Sequence, residues 1–167
     1  SVTNGNGYNV VTYRGEENLW GNIWKWEDGL NLKNPSTFAA DDGQVGILYA
    51  ADHDFKDDTG AAPYEDTGIR IPYVGWSYIS AFGYSEAYDW LFVGVEGKGN
   101  SSVPVGDCVQ NINPGWRVAR SGAVWNDGAG AGVFSLVLSS SSGSRYRDVS
   151  GRLVYIPSRK KELDEAA

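Results

Sequence analysis

Residues Gly115–Pro157 read GWRVARSGAVWNDGAGAGVFSLVLSSSSGSRYRDVSGRLVYIP, and this stretch decides the predicted fold. Between Ser121 and Ser150 it holds no Lys, Glu, Gln or Met, although Lys and Glu occur freely elsewhere in the chain. Randomising the adenines of asparagine codons cannot produce those four residues. The composition therefore predicts a segment in which positions varied by such codon changes alternate with positions that stay fixed. The alternative is an ordinary Ser/Gly-rich exposed region.

We predict that the varied positions bind ligand. Each holds a residue type that a codon ending in a pyrimidine can encode, and the set resembles the Ser, Gly, Tyr and Asp repertoire of antibody loops. Tyr146 is the expected hot spot, because its ring offers the largest desolvated contact. The predicted ligand-binding positions are Val124, Asp127, Gly130, Ser135, Val137, Ser139, Ser140, Ser144, Tyr146 and Asp148. The predicted scaffold positions are Trp24, Trp26, Gly122, Trp125, Gly128, Phe134, Leu136, Leu138, Gly151 and Arg152.

Alternation of apolar and polar residues predicts which of these side chains face the core and which face outward. Within Val133–Leu138, a strand would turn Phe134, Leu136 and Leu138 to the core and Val133, Ser135 and Val137 outward. Ser144, Tyr146 and Asp148 keep the same period of two and would share one face. We therefore expect exchange of the outward residues to leave stability nearly unchanged.

The rest of the chain predicts a mixture of helix and strand. An aromatic stripe from Leu19 to Glu27 predicts a helix over Glu16–Trp26, and the following Gly29 would terminate it. The stretch Tyr84–Phe92 is predicted to be a short helix or a turn, and the acidic Asp52–Gly60 a loop. Predicted strands are Val10–Tyr13, Gln44–Ala51, Ile69–Ile79 and a closing strand Arg152–Ile156.

Three blocks of sequence carry a resemblance to a known family. They are ENLWGNIWKWEDGL at Glu17–Leu30, RVARSGAVWNDG at Arg117–Gly128 and SGRLVYIP at Ser150–Pro157. They resemble the variable proteins of diversity-generating retroelements, which have a C-type lectin-like fold related to formylglycine-generating enzymes. One departure is visible, because Ser121-Gly122-Ala123 stands where the family usually has a pair of glycines.

The resemblance implies a fold and a function. The fold would be α+β and C-type lectin-like, with small antiparallel sheets, about two helices, long ordered loops and paired N- and C-terminal strands. Residues 10–157 would form this domain with a variable region at about 115–157, after a linker or frayed N-terminus at 1–9 and before a charged tail at 158–167. The function would be non-enzymatic binding of a protein or glycan on a cell surface, by a receptor or adhesion domain displayed on a virion or cell surface.

Bulk properties limit the classes of function. The 167 residues suit one domain, and a net charge of −7 argues against nucleic acid or an anionic membrane as a partner. We find no apolar run long enough to cross a bilayer. No Met occurs, even at position 1, which predicts that the chain is part of a longer product. The oligomeric state is left open.

The two alternative functions are a calcium-dependent carbohydrate-binding lectin and, with less support, an enzyme of the formylglycine-generating type. Trp125-Asn126-Asp127 resembles the calcium-binding triplet of C-type lectins, but the Pro-centred partner motif that completes such a site is absent. The acidic residues Asp52, Asp54, Asp57 and Asp58 are a further candidate calcium loop, although their spacing does not match an EF-hand. An enzyme of the formylglycine-generating type needs more than one thiol, and Cys108 is the only cysteine. We therefore expect no cofactor and no catalytic residue.

Overall fold

A computed structural model describes the backbone of residues 2–3, 9–10, 12–13, 16–103 and 105–151, and the side chains of residues 18–103 and 105–151. Within these ranges the chain is nearly all-β, with one 3-10 turn at Gly128–Gly130 and no helix of seven or more residues. The strands are β1 (Val2–Thr3), β2 (Asn9–Val10), β3 (Thr12–Tyr13), β4 (Glu16–Glu17), β5 (Trp24–Asn34), β6 (Val45–Ala50), β7 (Glu65–Pro72), β8 (Val74–Tyr78), β9 (Ala81–Gly83), β10 (Val93–Glu96), β11 (Cys108–Asn111), β12 (Gly115–Ser121), β13 (Leu136–Ser140) and β14 (Val149–Ser150).

The prediction of an α+β, C-type lectin-like fold with about two helices is wrong. Where a helix was expected at Glu16–Trp26, β4 ends at Glu17 and the chain turns, with left-handed backbone at Asn18 (φ 56°) and Gly21 (φ 70°). Trp24 then begins the longest strand, β5. Left-handed residues interrupt a right-handed helix, so the aromatic stripe belongs to a turn and a strand.

The central sheet contains eight strands. Seven of them run in the order β7-β6-β5-β12-β13-β11-β8, and β14 pairs with the start of β5. Neighbours are antiparallel except for β11 with β13 and β14 with β5, which are parallel. The longest pairing joins β12 to β5, from Gly115 opposite Asn34 to Ser121 opposite Lys25.

The sheet is curled, and its two edge strands join at one corner. Edge strands β7 and β8 are consecutive in the chain, with only Tyr73 between them. A buried amide pair holds this corner: Asn34 Nδ2 donates to Asn111 Oδ1 at 2.6 Å, and Asn111 Nδ2 donates back to Asn34 Oδ1 at 3.2 Å. Asn111 Nδ2 also lies within hydrogen-bond distance of the carbonyl oxygens of Ile71 and Pro72. The pair therefore ties β5 and β11 to the end of β7.

The main core fills the inside of the curl. Leu136 and Leu138 point into it from β13, which confirms their predicted orientation. The hairpin of β9 and β10 lies against the sheet and contributes Val93. The buried members of this core are Leu32, Leu48, Ile69, Ile71, Leu91, Val93, Ala119, Leu136 and Leu138. The other face of the central strands is thus left to carry a second cluster.

Several local predictions agree with the structure. Strands occur within Gln44–Ala51 and Ile69–Ile79, and Asp52–Gly60 between them is a loop. The stretch Tyr84–Phe92 is a turn rather than a helix. The expected closing strand Arg152–Ile156 and the tail at 158–167 lie outside the described residues.

At the N-terminal end, where a linker or frayed segment was expected at residues 1–9, β1 pairs antiparallel with β2, and Val2 lies opposite Val10. The predicted strand Val10–Tyr13 falls in β2 and β3. Among the residues described, no helix is long and apolar enough to span a membrane.

Candidate functional site

The outer face of the sheet carries a cleft of about 290 Å³. Arg120 on β12 pairs with Val137 on β13, and Val137 pairs with Gln110 on β11, so the side chains of all three project from one face. Val137 points away from the main core because its neighbours Leu136 and Leu138 point into it. The cleft, which we call the arginine cleft, is lined by Trp24, Trp76, Gln110, Arg120, Asp127 and Val137.

Aromatic rings surround the guanidinium of Arg120. The carbon at its centre lies 4.9 Å from the ring centroid of Trp24 and 5.2 Å from that of Tyr146. Trp24 in turn meets Trp76 edge to face, with ring centroids 5.9 Å apart. Both distances from Arg120 are within cation–π range, so the rings hold the cation without neutralising it.

Arg120 has no polar partner in the described part of the chain. Its Nε atom is buried without a hydrogen bond, and none of the ion pairs formed by the described residues includes it. Burial lowers the pKa of Arg120, and the nearby Tyr146, Asp148 and Asp127 partly offset this effect. A guanidinium remains charged at neutral pH even so, and all of its N–H groups are donors. The cleft therefore presents a cation that no described residue pairs with.

Three of the predicted ligand-binding residues lie at the edge of this cleft. Asp127 lines it, Tyr146 is 49% exposed and lies against Arg120, and Asp148 is exposed, with its backbone carbonyl accepting a hydrogen bond from the N–H of Trp24 at 2.9 Å. Asp127 is held in place because its Oδ2 accepts the N–H of Val124 at 2.9 Å. These three side chains can contact a ligand.

Three others lie beneath the cleft. Val124 and Val137 pack with Trp24 in a small buried cluster. Gly130 is also buried, and a Cβ atom there would lie 2.9 Å from the sulfur of Cys108 and 3.2 Å from the ring of Trp76. Any larger residue at Gly130 would displace those neighbours. These positions support the cleft rather than forming its exposed edge.

The prediction that Ser135 and Val137 face outward is wrong. Val137 is 1% exposed and Ser135 is fully buried, with an Oγ that has no hydrogen-bond partner. The outer face of β13 is covered, since Trp24 and the loop that holds Val124 pack over it. Alternation along the strand is real, but both of its faces are buried. Val133, just before the strand, is exposed as predicted.

The remaining predicted positions do not line the cleft. Ser139 Oγ accepts the N–H of Ile112 at 3.1 Å. Ser140 is buried opposite Val118, and Ser144 forms a turn with Ser141, their Oγ atoms 3.0 Å apart. Their hydroxyl groups or backbones are engaged within the protein.

Two aromatic residues of the predicted scaffold are exposed. Trp125 is 75% exposed, because Val124 forms a bridge with Asn22 and turns inward, so that the next side chain points to solvent. Phe134 is 36% exposed and meets Phe82 at 5.2 Å, so its assignment to the core is also wrong. Trp24 and Gly122 are buried, Trp26 is half-buried, Gly128 and Gly151 are exposed, and Arg152 lies outside the described residues.

Sequence reasoning missed Arg120, Trp76 and Gln110 as site residues. A signal for Arg120 was present: Ala119 on the same strand is small and apolar, so its neighbour must project from the opposite face. Trp76 and Gln110 gave no such signal, because the strands that bring them to Arg120 are distant in sequence.

The calcium candidates do not come together. Asp127 Oδ2 accepts a hydrogen bond from the backbone of its own loop. Asp52 Oδ1 lies 2.5 Å from Nδ1 of His53, and Asp58 accepts a hydrogen bond from Ser142. Burial raises the pKa of Asp57. The described residues contain no group of three or more His, Cys, Asp or Glu side chains that could hold a metal.

The chemistry available in the arginine cleft is therefore recognition by a cation and aromatic rings. Cys108 lies beside this region, below Gly130, but its thiol is buried and burial raises its pKa to about 11. A thiol with so high a pKa carries little of the reactive thiolate at neutral pH. Comparisons with protein families, with curated proteins and with solved structures found no match for this chain.

Proposed function

We propose that this protein is a non-enzymatic ligand-binding domain of the receptor or adhesion type and that the arginine cleft is its binding site. The observation that carries the proposal is the guanidinium of Arg120, which contacts the rings of Trp24 and Tyr146 in a solvent-accessible cleft and has no hydrogen-bond or ion-pair partner among the described residues. Arg, Trp and Tyr dominate the energetics of binding surfaces, and all three residue types meet here. The partner would be a protein or glycan on a cell surface, and the domain would be displayed on a virion or cell surface.

The edge of the cleft is suited to variation. Five residues, which we call the rim, lie on the two loops beside Arg120: Trp125, Asn126, Asp127, Tyr146 and Asp148. All but Asp127 are exposed. Changes at exposed positions usually shift stability by about 0.5 kcal/mol or less, so the rim can change without unfolding the domain. Variation by adenine change is thus proposed for Asn126, Asp127, Tyr146 and Asp148, whereas Trp125 stays a fixed rim residue because asparagine codons varied at their adenines cannot encode tryptophan. The buried residues beneath the rim are not proposed to vary.

The proposal includes diversification by a retroelement, supported by the absence of Lys, Glu and Gln from residues 121–150. We expect the DNA beside the gene to contain a near-copy of the segment encoding Gly115–Pro157, differing at adenines and next to a reverse transcriptase gene. Sequencing the flanking DNA tests this origin. A flank without such a copy would contradict the origin while leaving the binding function to be tested on the protein.

A display library tests the binding function. Randomising the five rim positions with the residue types that varied asparagine codons encode should yield variants that bind a purified target such as lysozyme. Binding is expected because the fixed Arg120 and Trp76 supply contact energy and the rim supplies specificity. The measurement is enrichment over successive rounds, followed by Kd determination for single clones.

The control is a library at five exposed positions of matched composition in the turn between β9 and β10. These positions are Tyr84, Glu86, Ala87, Asp89 and Trp90. We expect at least tenfold fewer binders from this library. Equal yields from both libraries, or rim binders that are unaffected by Arg120→Gln, would contradict the assignment of the binding site.

A further inference from the structure

We infer that the arginine cleft accepts the carboxylate of a single Asp or Glu side chain presented by a protein partner. This inference rests on the proposed function and names the chemistry of its ligand. Arg120 lacks a hydrogen-bond acceptor among the described residues. Its guanidinium has aromatic neighbours, and its Nε atom is buried.

A carboxylate satisfies this arrangement better than a neutral acceptor. Two parallel N–H···O bonds from one guanidinium edge match the two oxygens of a carboxylate, and such charge-assisted pairs are among the strongest hydrogen bonds. The rings of Trp24 and Tyr146 already hold the guanidinium in position. Little side-chain freedom is therefore left to lose when the ligand binds.

The surrounding charge limits how negative the ligand can be. Asp127 and Asp148 lie close enough to Arg120 to act on its pKa, although neither forms an ion pair with it. The chain as a whole carries a net charge of −7. A phosphate dianion would meet this repulsion twice and an acidic polysaccharide many times, whereas one carboxylate meets it once.

The apolar walls favour a protein side chain. Trp76 lines the cleft, is 42% exposed and can pack against the methylene groups of a glutamate, with the buried Trp24 and Val137 beneath it. Trp125, on the same loop as Asp127, is 75% exposed and offers a further anchor for a protein surface. A protein can also place basic residues opposite Asp127 and Asp148, which complements the acidic rim.

The experiment titrates the 15N-labelled protein with small probes and follows the Arg120 Nε–H and Trp indole N–H resonances. The probe is N-acetyl-glutamic acid amide, and its matched control is N-acetyl-glutamine amide. Glucuronate and inorganic phosphate represent acidic glycans and phosphorylated groups. We expect saturable shifts with the glutamic acid probe, with a Kd on the order of 1–10 mM for so small a ligand, and at least tenfold weaker binding of the other three.

Variants decide whether the binding is at Arg120. Arg120→Gln should abolish the response and Tyr146→Leu should weaken it several-fold, whereas Arg147→Gln, at an exposed arginine next to Tyr146, should not change it. Tyr146→Leu serves as the test if Arg120→Gln does not fold, because Tyr146 is half exposed. Binding that survives both changes overturns the inference.

The probes separate the ways in which the inference could fail. If the glutamine probe binds as tightly as the glutamic acid probe, the negative charge of the ligand does not matter for binding. If glucuronate or phosphate binds as tightly as the glutamic acid probe, the cleft does not prefer the side chain of a protein. If the rim library yields binders but the glutamic acid probe does not bind, the carboxylate inference is wrong and the binding function stands. If the library also yields none, the proposed function fails as well.

Discussion

Replacing Asn111 by leucine is expected to lower the free energy of unfolding by about 2–4 kcal/mol. The side chain of Asn111 is fully buried and exchanges hydrogen bonds with Asn34. It also donates toward the carbonyl oxygens of Ile71 and Pro72, where the two edges of the sheet meet. Leucine has a similar size but leaves the amide of Asn34 and these carbonyls short of partners. Guanidinium denaturation followed by tryptophan fluorescence measures the change.

Asn126→Leu is the matched control, because Asn126 is exposed and makes no hydrogen bond within the described residues. Its free energy of unfolding should differ from that of the parent protein by about 0.5 kcal/mol or less. Equal stabilities for the two variants would mean that the amide pair does not stabilise the corner at which β5 and β11 meet the end of β7. The same substitution at an exposed and a buried asparagine separates the loss of hydrogen bonds from any general effect of leucine.

Local pattern predicted the parts of the fold that depend on local chain geometry. Leu136 and Leu138 were placed in the core correctly, because alternation fixes which residues share a face of a strand. Alternation does not say whether the other face is covered, and this is where Val137 and Ser135 were misjudged. The loop that covers Val137 holds Val124, and its path is set by packing on Trp24 from a strand about 100 residues earlier.

The prediction of a helix at Glu16–Trp26 is wrong for a related reason. Trp20 and Trp24 are four residues apart, as on one face of a helix, but Trp24 and Trp26 are also two apart, as on one face of a strand. Left-handed backbone at Asn18 breaks the helical alternative. Pairing of β5 with β12, β6 and β14 then stabilises the strand conformation. None of those partners can be inferred from residues 16–26 alone.

The candidate site was predicted only at its edge. Asp127, Tyr146 and Asp148 were identified from composition, since they belong to the stretch without Lys or Glu. Arg120 and Trp76 were not, because the cleft requires side chains from β5, β12, β13, β11 and β8 in one row across the sheet. Such a row depends on strand order, which local patterns of apolar and polar residues do not reveal.

Val137→Asn is expected to lower the free energy of unfolding by about 3–5 kcal/mol, the largest effect among the predicted ligand-binding positions. Valine loses about 1.5–3 kcal/mol of apolar burial, and an amide without partners in the same place costs about 1–3 kcal/mol. Val137 is 1% exposed between Trp24 and Val124, so the amide cannot reach solvent. Denaturant midpoints at constant m-value measure the loss.

Tyr146→Asn is the matched control, because it introduces the same residue at a half-exposed position that also lies on the arginine cleft. It removes a cation–π contact and should cost about 1 kcal/mol or less. A domain in which both changes were tolerated equally would have an exchangeable surface that reaches the floor of the cleft. Strong destabilisation by Val137→Asn alone would place the boundary between fixed and variable residues at the rim, where Tyr146 can change and Val137 cannot.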